Sequence, residues 1–82
     1  MADVIHKYGP IDPTIEYLTI KGNPVHVGLQ NGQAYVWTIN ACEFAEEERL
    51  VRLVATGESY VGPYIGTVIY PIGLVYHLIE VF

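Results

Sequence analysis

The sequence predicts a mainly β domain: a small antiparallel sheet or partly open barrel of five or six strands, with one short helical turn near 43–49 and assembly as a homo-oligomer. Three observations carry that reading. Asn31-Gly32 sits between two alternating segments, and this dipeptide suits a two-residue type I′ hairpin turn because both central residues need positive φ. Tyr64–Tyr70 and Leu74–Phe82 flank Pro71-Ile72-Gly73 as a second hairpin. The remaining segments are rich in β-branched residues and are punctuated by glycine and proline.

Along the chain, Asp3–Tyr8 reads as a short strand stopped by Gly9-Pro10 and Asp12-Pro13. Thr14–Ile20 alternates and reads as a strand, and Lys21-Gly22-Asn23-Pro24 reads as a turn. The Asn31-Gly32 turn sets a register: Gln30 opposite Gln33, Leu29 opposite Ala34, Gly28 opposite Tyr35, Val27 opposite Val36, His26 opposite Trp37 and Val25 opposite Thr38. One face is then Val25, Val27, Leu29, Ala34 and Val36, suited to a core. The other carries His26, Gly28, Tyr35, Trp37 and Ile39, with Gly28 leaving room for the Tyr35 ring.

Residues 43–57 fit either a helix or a strand. A short acidic turn followed by a strand over Leu50–Thr56 is preferred, and 57–63 reads as a loop. In the last hairpin one face holds Ile65, Thr67, Ile69, Val75, His77 and Ile79. The other holds Tyr64, Gly66, Val68, Tyr70, Leu74, Tyr76, Leu78 and Glu80. Neither face is polar, so both need cover, from another layer of the chain or from another subunit. Tyr64, Val68, Tyr70, Leu74, Tyr76 and Leu78 are therefore the expected subunit contact.

Length and composition bear on the oligomer. Eighty-two residues, read as a single domain over 1–82, bury a modest core. The chain's one cysteine, Cys42, cannot form an internal disulfide, and the scattered His6, His26 and His77 give no metal spacing. Hydrophobic residues make up 51% and charged ones 16%, which favours burial between copies. The net charge of −5, with Lys7, Lys21, Arg49 and Arg52 as the cations, argues against nucleic-acid binding. The start of the chain lacks a basic leader and no apolar run reaches membrane length, so a cytoplasmic setting with reduced Cys42 is expected.

No nucleophile elbow, glycine-rich phosphate loop or activated thiol appears, so the chain reads as a non-enzyme without cofactor or metal. Ser59 is the only serine, and Glu43, Glu46, Glu47 and Glu48 form a solvated charge run. His26, Tyr35 and Trp37 form the most distinctive cluster, suited to a second core layer with His26 hydrogen-bonded to backbone or a subunit interface, or else to stacking a base or anchoring a partner. Arg52, between Val51 and Leu53, suits a phosphate or carboxylate, or an ion pair with the preceding glutamates. If 50–56 is a strand, Arg49 and Arg52 face opposite sides. His77 reads as a hydrogen-bonded core or interface histidine.

The succession Ile5-His6-Lys7-Tyr8, Thr14-Ile15-Glu16, Val27-Gly28-Leu29-Gln30-Asn31-Gly32, Val36-Trp37, Glu48-Arg49, Thr56-Gly57, Tyr64-Ile65-Gly66-Thr67 and Tyr76-His77-Leu78-Ile79-Glu80 resembles a family of small tailed-phage proteins of unknown function. Two places depart from the family pattern: the loop after Thr56-Gly57 has no histidine, and the chain closes on Tyr-His-Leu-Ile-Glu. The resemblance implies a phage accessory protein in the host cytoplasm. The leading expectation is a counter-defence binder that sequesters a small host signalling nucleotide in pockets between subunits. Trp37 and Tyr60 would stack bases, and His26, Tyr35, Arg52 and backbone near Gly57 would complete the site. The alternatives are an inhibitor that binds a host defence protein and a purely structural phage component.

Overall fold

The computed structural model describes residues 3–14, 17–40 and 48–81. Cys42, Glu43, Glu46 and Glu47 lie outside them, as do Ile15 and Glu16 of the expected second strand and most of the expected helical turn at 43–49. Seven strands are present: β1 Val4–Ile11, β2 Leu18–Lys21, β3 Asn23–Gln30, β4 Gln33–Asn40, β5 Glu48–Ala55, β6 Tyr64–Ile69 and β7 Val75–Val81. Among the described residues there is no helix, and Glu48 and Arg49 belong to β5.

The strands form two antiparallel sheets, of order β1-β4-β3 and β2-β5-β7-β6. This corrects the expectation of one sheet or a partly open barrel of five or six strands. Among the described residues no ladder joins the sheets into a barrel. The physical reason lies at Gly22. The expected turn at 21–24 narrows to this one buried residue, where φ is +92° and the chain leaves the four-stranded sheet for the three-stranded one. Val27, Ala34 and Val36 of one sheet then face Val51, Leu53, Val68 and Leu78 of the other, with Ile11 and Ile20 completing the shared core. The Cα framework measures 41 × 28 × 16 Å, thick enough for two sheets and no more, so each sheet keeps one outer face near solvent.

The β3–β4 hairpin follows its turn. Asn31 (φ 55°) and Gly32 (φ 78°) adopt the left-handed pair, and the register holds from Gln30↔Gln33 to His26↔Trp37. Beyond that, Pro24 rather than Val25 pairs with Thr38. Val25 is the extra residue of a bulge and is 50% exposed, not a core residue, while Thr38 takes the inward place and is fully buried. β1 continues past its expected stop to Ile11, with a bulge between Tyr8 and Ile11. Pro10 is tolerated there because β1 is an edge strand, where a missing N–H breaks no ladder bond.

The β6–β7 hairpin turns over the expected Pro71-Ile72-Gly73, closed by Tyr70 N–H donating to Leu74 O at 2.8 Å. The expected register holds from Ile69↔Val75 to Gly66↔Leu78, and then a bulge at Ile65 pairs Tyr64 with Ile79. Tyr64 therefore moves to the outer face beside His77, and Ile65 packs against the core instead. The opposite face is covered in large part by the chain itself. Val68 and Leu78 are buried in the chain's own core and Tyr70 and Tyr76 pack against it, leaving Leu74 about half exposed there and Tyr64 about half exposed on the outer face.

Candidate functional site

The outer face of the four-stranded sheet carries apolar residues that the β5–β6 connection covers. Val54 and Ile79 point outward yet are both 1% exposed. Residues 57–61 arch over them, anchored where Glu80 N–H donates to Pro63 O at 2.9 Å. The arch leaves two adjoining hollows that share Tyr60. One, of about 400 Å3, is lined by Tyr17, Arg52, Ser59, Tyr60, Val61, Ile79 and Val81. The other, of about 230 Å3, is lined by Val54, Ala55, Gly57, Glu58, Tyr60, Tyr64 and His77.

Strand alternation sends the two arginines of β5 to opposite faces, as expected for a strand. Arg49 points inward and pairs with Glu80 at 3.0 Å, where Glu80 is nearly buried. Arg52 points outward and pairs at 3.0 Å with Glu58, not with the preceding glutamates. Glu58 is itself held in the turn: its second oxygen accepts the Ala55 N–H at 3.1 Å, and its own N–H donates to Ala55 O at 3.0 Å. The hollow is thus floored by a guanidinium with one carboxylate partner and flanked by the half-exposed rings of Tyr17 and Tyr60.

A second polar group lies in the neighbouring hollow. His77 Nε2 is 2.8 Å from Thr56 Oγ1, its Nδ1 is 2.8 Å from Thr67 Oγ1, and the Tyr64 hydroxyl closes on Thr67 Oγ1. Both imidazole nitrogens are engaged by hydroxyls, so the ring is fixed on the outer face. Sequence alternation already placed Thr67 and His77 on one face. Tyr64 joined them through a bulge that leaves no sequence signal, and Thr56 through the return of a loop.

The expected site residues divide into two groups. Arg52, Gly57 and Tyr60 come together at these hollows. His26, Tyr35 and Trp37 lie on the outer face of the other sheet. There the His26 and Trp37 ring centroids are 5.4 Å apart, and those of Tyr35 and Trp37 are 6.4 Å apart. Lys7, to which the sequence assigns no role, reaches across from β1: its Nζ lies 4.7 Å above the Tyr35 ring and donates to Gln30 Oε1 at 2.7 Å. Gly28 makes room for a different ring from the one expected. A Cβ there would stand 3.0 Å from His26 Nε2 and 3.7 Å from the Trp37 ring, whereas the Tyr35 ring lies against Gly9.

A third hollow, of about 260 Å3, opens at one end of the sandwich between Pro10, Ile11, Asp12, Pro13, Gly32, Gln33 and Tyr70. Burial raises the Tyr70 phenol above its ordinary value, with the Asp12 carboxylate adding to the effect, and among the described residues its hydroxyl has no hydrogen-bond partner. Among the described residues no group of three metal-ligating side chains assembles, and no helix is long and apolar enough to cross a membrane.

Fold and site together define an all-β two-sheet domain with a polar–aromatic hollow on one outer face. The chain belongs to a family described as a domain of unknown function, DUF7352, whose model matches residues 1–82. No curated protein and no solved structure matches the chain.

Proposed function

We propose that the chain is a non-catalytic binding domain, a phage accessory protein that sequesters a small host signalling nucleotide, with its ligand in the hollow beside Arg52 and Tyr60. The supporting observation is that a guanidinium and two tyrosine rings converge on one hollow of about 400 Å3. That volume falls in the range of roughly 300–1,000 Å3 usual for small-molecule sites. Tyr60 and Tyr17 offer π-faces to a base, and Arg52 offers a fork that matches phosphate oxygens. Glu58 takes one arm of that fork, Nη2, in the free chain, so a phosphate that used the whole fork would exchange for the carboxylate. The exchange limits affinity and selects ligands whose ring also stacks. Trp37 lies on the other sheet's outer face, so one copy does not bring it to the hollow, and a pocket using both Trp37 and Tyr60 would draw them from two copies.

Calorimetry against a panel of cyclic mono- and dinucleotides tests this. One member of the panel should bind, and Arg52→Ala and Tyr60→Ala should each weaken it by about tenfold or more, the loss of one charge-assisted or stacking contact. If no member binds, or both variants bind like the parent, the nucleotide reading fails.

The second reading, inhibition of a host protein, is favoured by the other outer face, where exposed His26 packs tilted against Trp37, and which also carries Ile5, 68% exposed. Aromatic anchors of this kind dominate protein interfaces. Capture of one host protein that is lost on Trp37→Ala and retained on Arg52→Ala would decide for it.

A further inference from the structure

We infer that the free edge of β1 pairs with the same edge of a second copy of this chain, antiparallel and centred on Ile5. β1 has β4 on one side, and no described strand pairs with its other side. The remaining edges are less open. β3 and β6 lie against each other, so closely that a Cβ on Gly66 would meet Val27 Cγ1 at 2.5 Å, and β2 is four residues long. β1 is eight residues long. An edge of that length presents a row of N–H and C=O groups to any chain that can align with it.

The side chains select both the occupant and the register. Ile5, at 68%, is more exposed than any other large apolar side chain in a strand, and Val4 beside it is 43% exposed. Two charges flank them on the face that Ile5 shares: Asp3 before and Lys7 after. Antiparallel pairing about a two-fold axis through Ile5 sets Ile5 opposite its own copy and Val4 opposite His6. It also sets Asp3 opposite Lys7 twice. Centring on Val4 sets Asp3 against Ile5, and centring on His6 sets Lys7 against Ile5. Registers centred on either charged residue set like charges together, which destabilises a strand pair. Only the Ile5-centred register matches unlike charges.

The far end of the strand limits the pairing to this stretch. The bulge between Tyr8 and Ile11, with Pro10 inside it, interrupts the edge after Lys7 and Tyr8. In the free chain Lys7 holds the neutral oxygen of Gln30, and pairing exchanges that contact for a carboxylate. The two three-stranded sheets would become one six-stranded sheet, with Ile5 and Ile39 of both copies forming a continuous apolar strip. Five paired residues a side is short beside the 20–30 residues of a standard interface, so association should be weak, near the micromolar range or above.

Sedimentation velocity on the full chain, from micromolar to near-millimolar concentration, tests the pairing. The parent should pass from monomer to dimer. Lys7→Glu and Asp3→Lys should each weaken dimerisation by about tenfold or more, since each creates two like-charge pairs. The double variant Asp3→Lys/Lys7→Glu should restore it, which a merely misfolded variant would not do. A chain monomeric throughout, a dimer indifferent to both single variants, or a double variant no better than the singles would each overturn the proposal.

Discussion

Asp12 shows how a single side chain sets a measurable property. Its Oδ1 accepts the Thr14 N–H at 2.9 Å and the Thr14 hydroxyl at 2.8 Å, and these bonds hold the carboxyl below its ordinary value of 3.8. A carboxyl depressed in the folded state favours folding wherever it is ionised. Its contribution is therefore full above the ordinary value and fades as pH falls through the lower folded value. Asp12→Ala should be less stable than the parent at neutral pH, with the gap closing on acidification below about pH 4. Urea denaturation at a series of pH values reads this out, and a gap that persists at low pH would assign the loss to packing. Tyr70 makes the opposite case. Its buried hydroxyl has no partner among the described residues, so removing it leaves none of them unpaired. Tyr70→Phe should be neutral or raise stability by about 1 kcal/mol in chemical denaturation, whereas a loss of that size would reveal a partner for the hydroxyl.

At the scale of elements, bulges and close approaches decide what each strand presents. β6 and β3 come from different sheets, and their contact closes one side of the sandwich. Gly66 is where it happens, because a Cβ there would lie 2.5 Å from Val27 Cγ1. Gly66→Ala should cost roughly 1–3 kcal/mol by overpacking, measured by thermal or urea unfolding, and a neutral result would mean the seam is loose. Two of the three bulges explain the misplaced residues. A period of two is preserved only while pairing is one-to-one, and each extra residue moves the rest of its strand to the other face. Val25 left the core this way, Ile65 entered it, and Tyr64 was delivered to His77. Hairpin turns were legible because Asn31-Gly32 and Pro71-Ile72-Gly73 act through local backbone preference. Bulges were not, because they answer to the neighbouring strand and to the core beneath it.

For the whole molecule, the division into two thin sheets separates two surfaces of different character. The hollow near Arg52, Tyr60 and His77 lies on the outer face of the four-stranded sheet. The tilted rings of His26, Trp37 and Tyr35, with Lys7 above Tyr35, lie on the outer face of the three-stranded sheet. A ligand held in the hollow beside Arg52 and a second copy aligned on β1 therefore use different surfaces. Charge reversal at Lys7 acts on association, and Arg52→Ala acts on ligand binding.

The sequence by itself determined the β class, both hairpin turns, most of each hairpin register, and the opposite directions of Arg49 and Arg52. All of these arise from alternation and turn chemistry within a few residues. Only the tertiary structure decided that the strands form two sheets rather than one. It also decided that Val68 and Leu78 serve the chain's own core, that Arg52 meets Glu58, and that Tyr64, Thr67, His77 and Thr56 form one hydrogen-bonded chain. The reason is physical. An apolar strand face states that it must be covered but carries no information about what covers it. That depends on the packing of strands distant in sequence, here directed by the crossing at Gly22 and the return of the 57–61 arch.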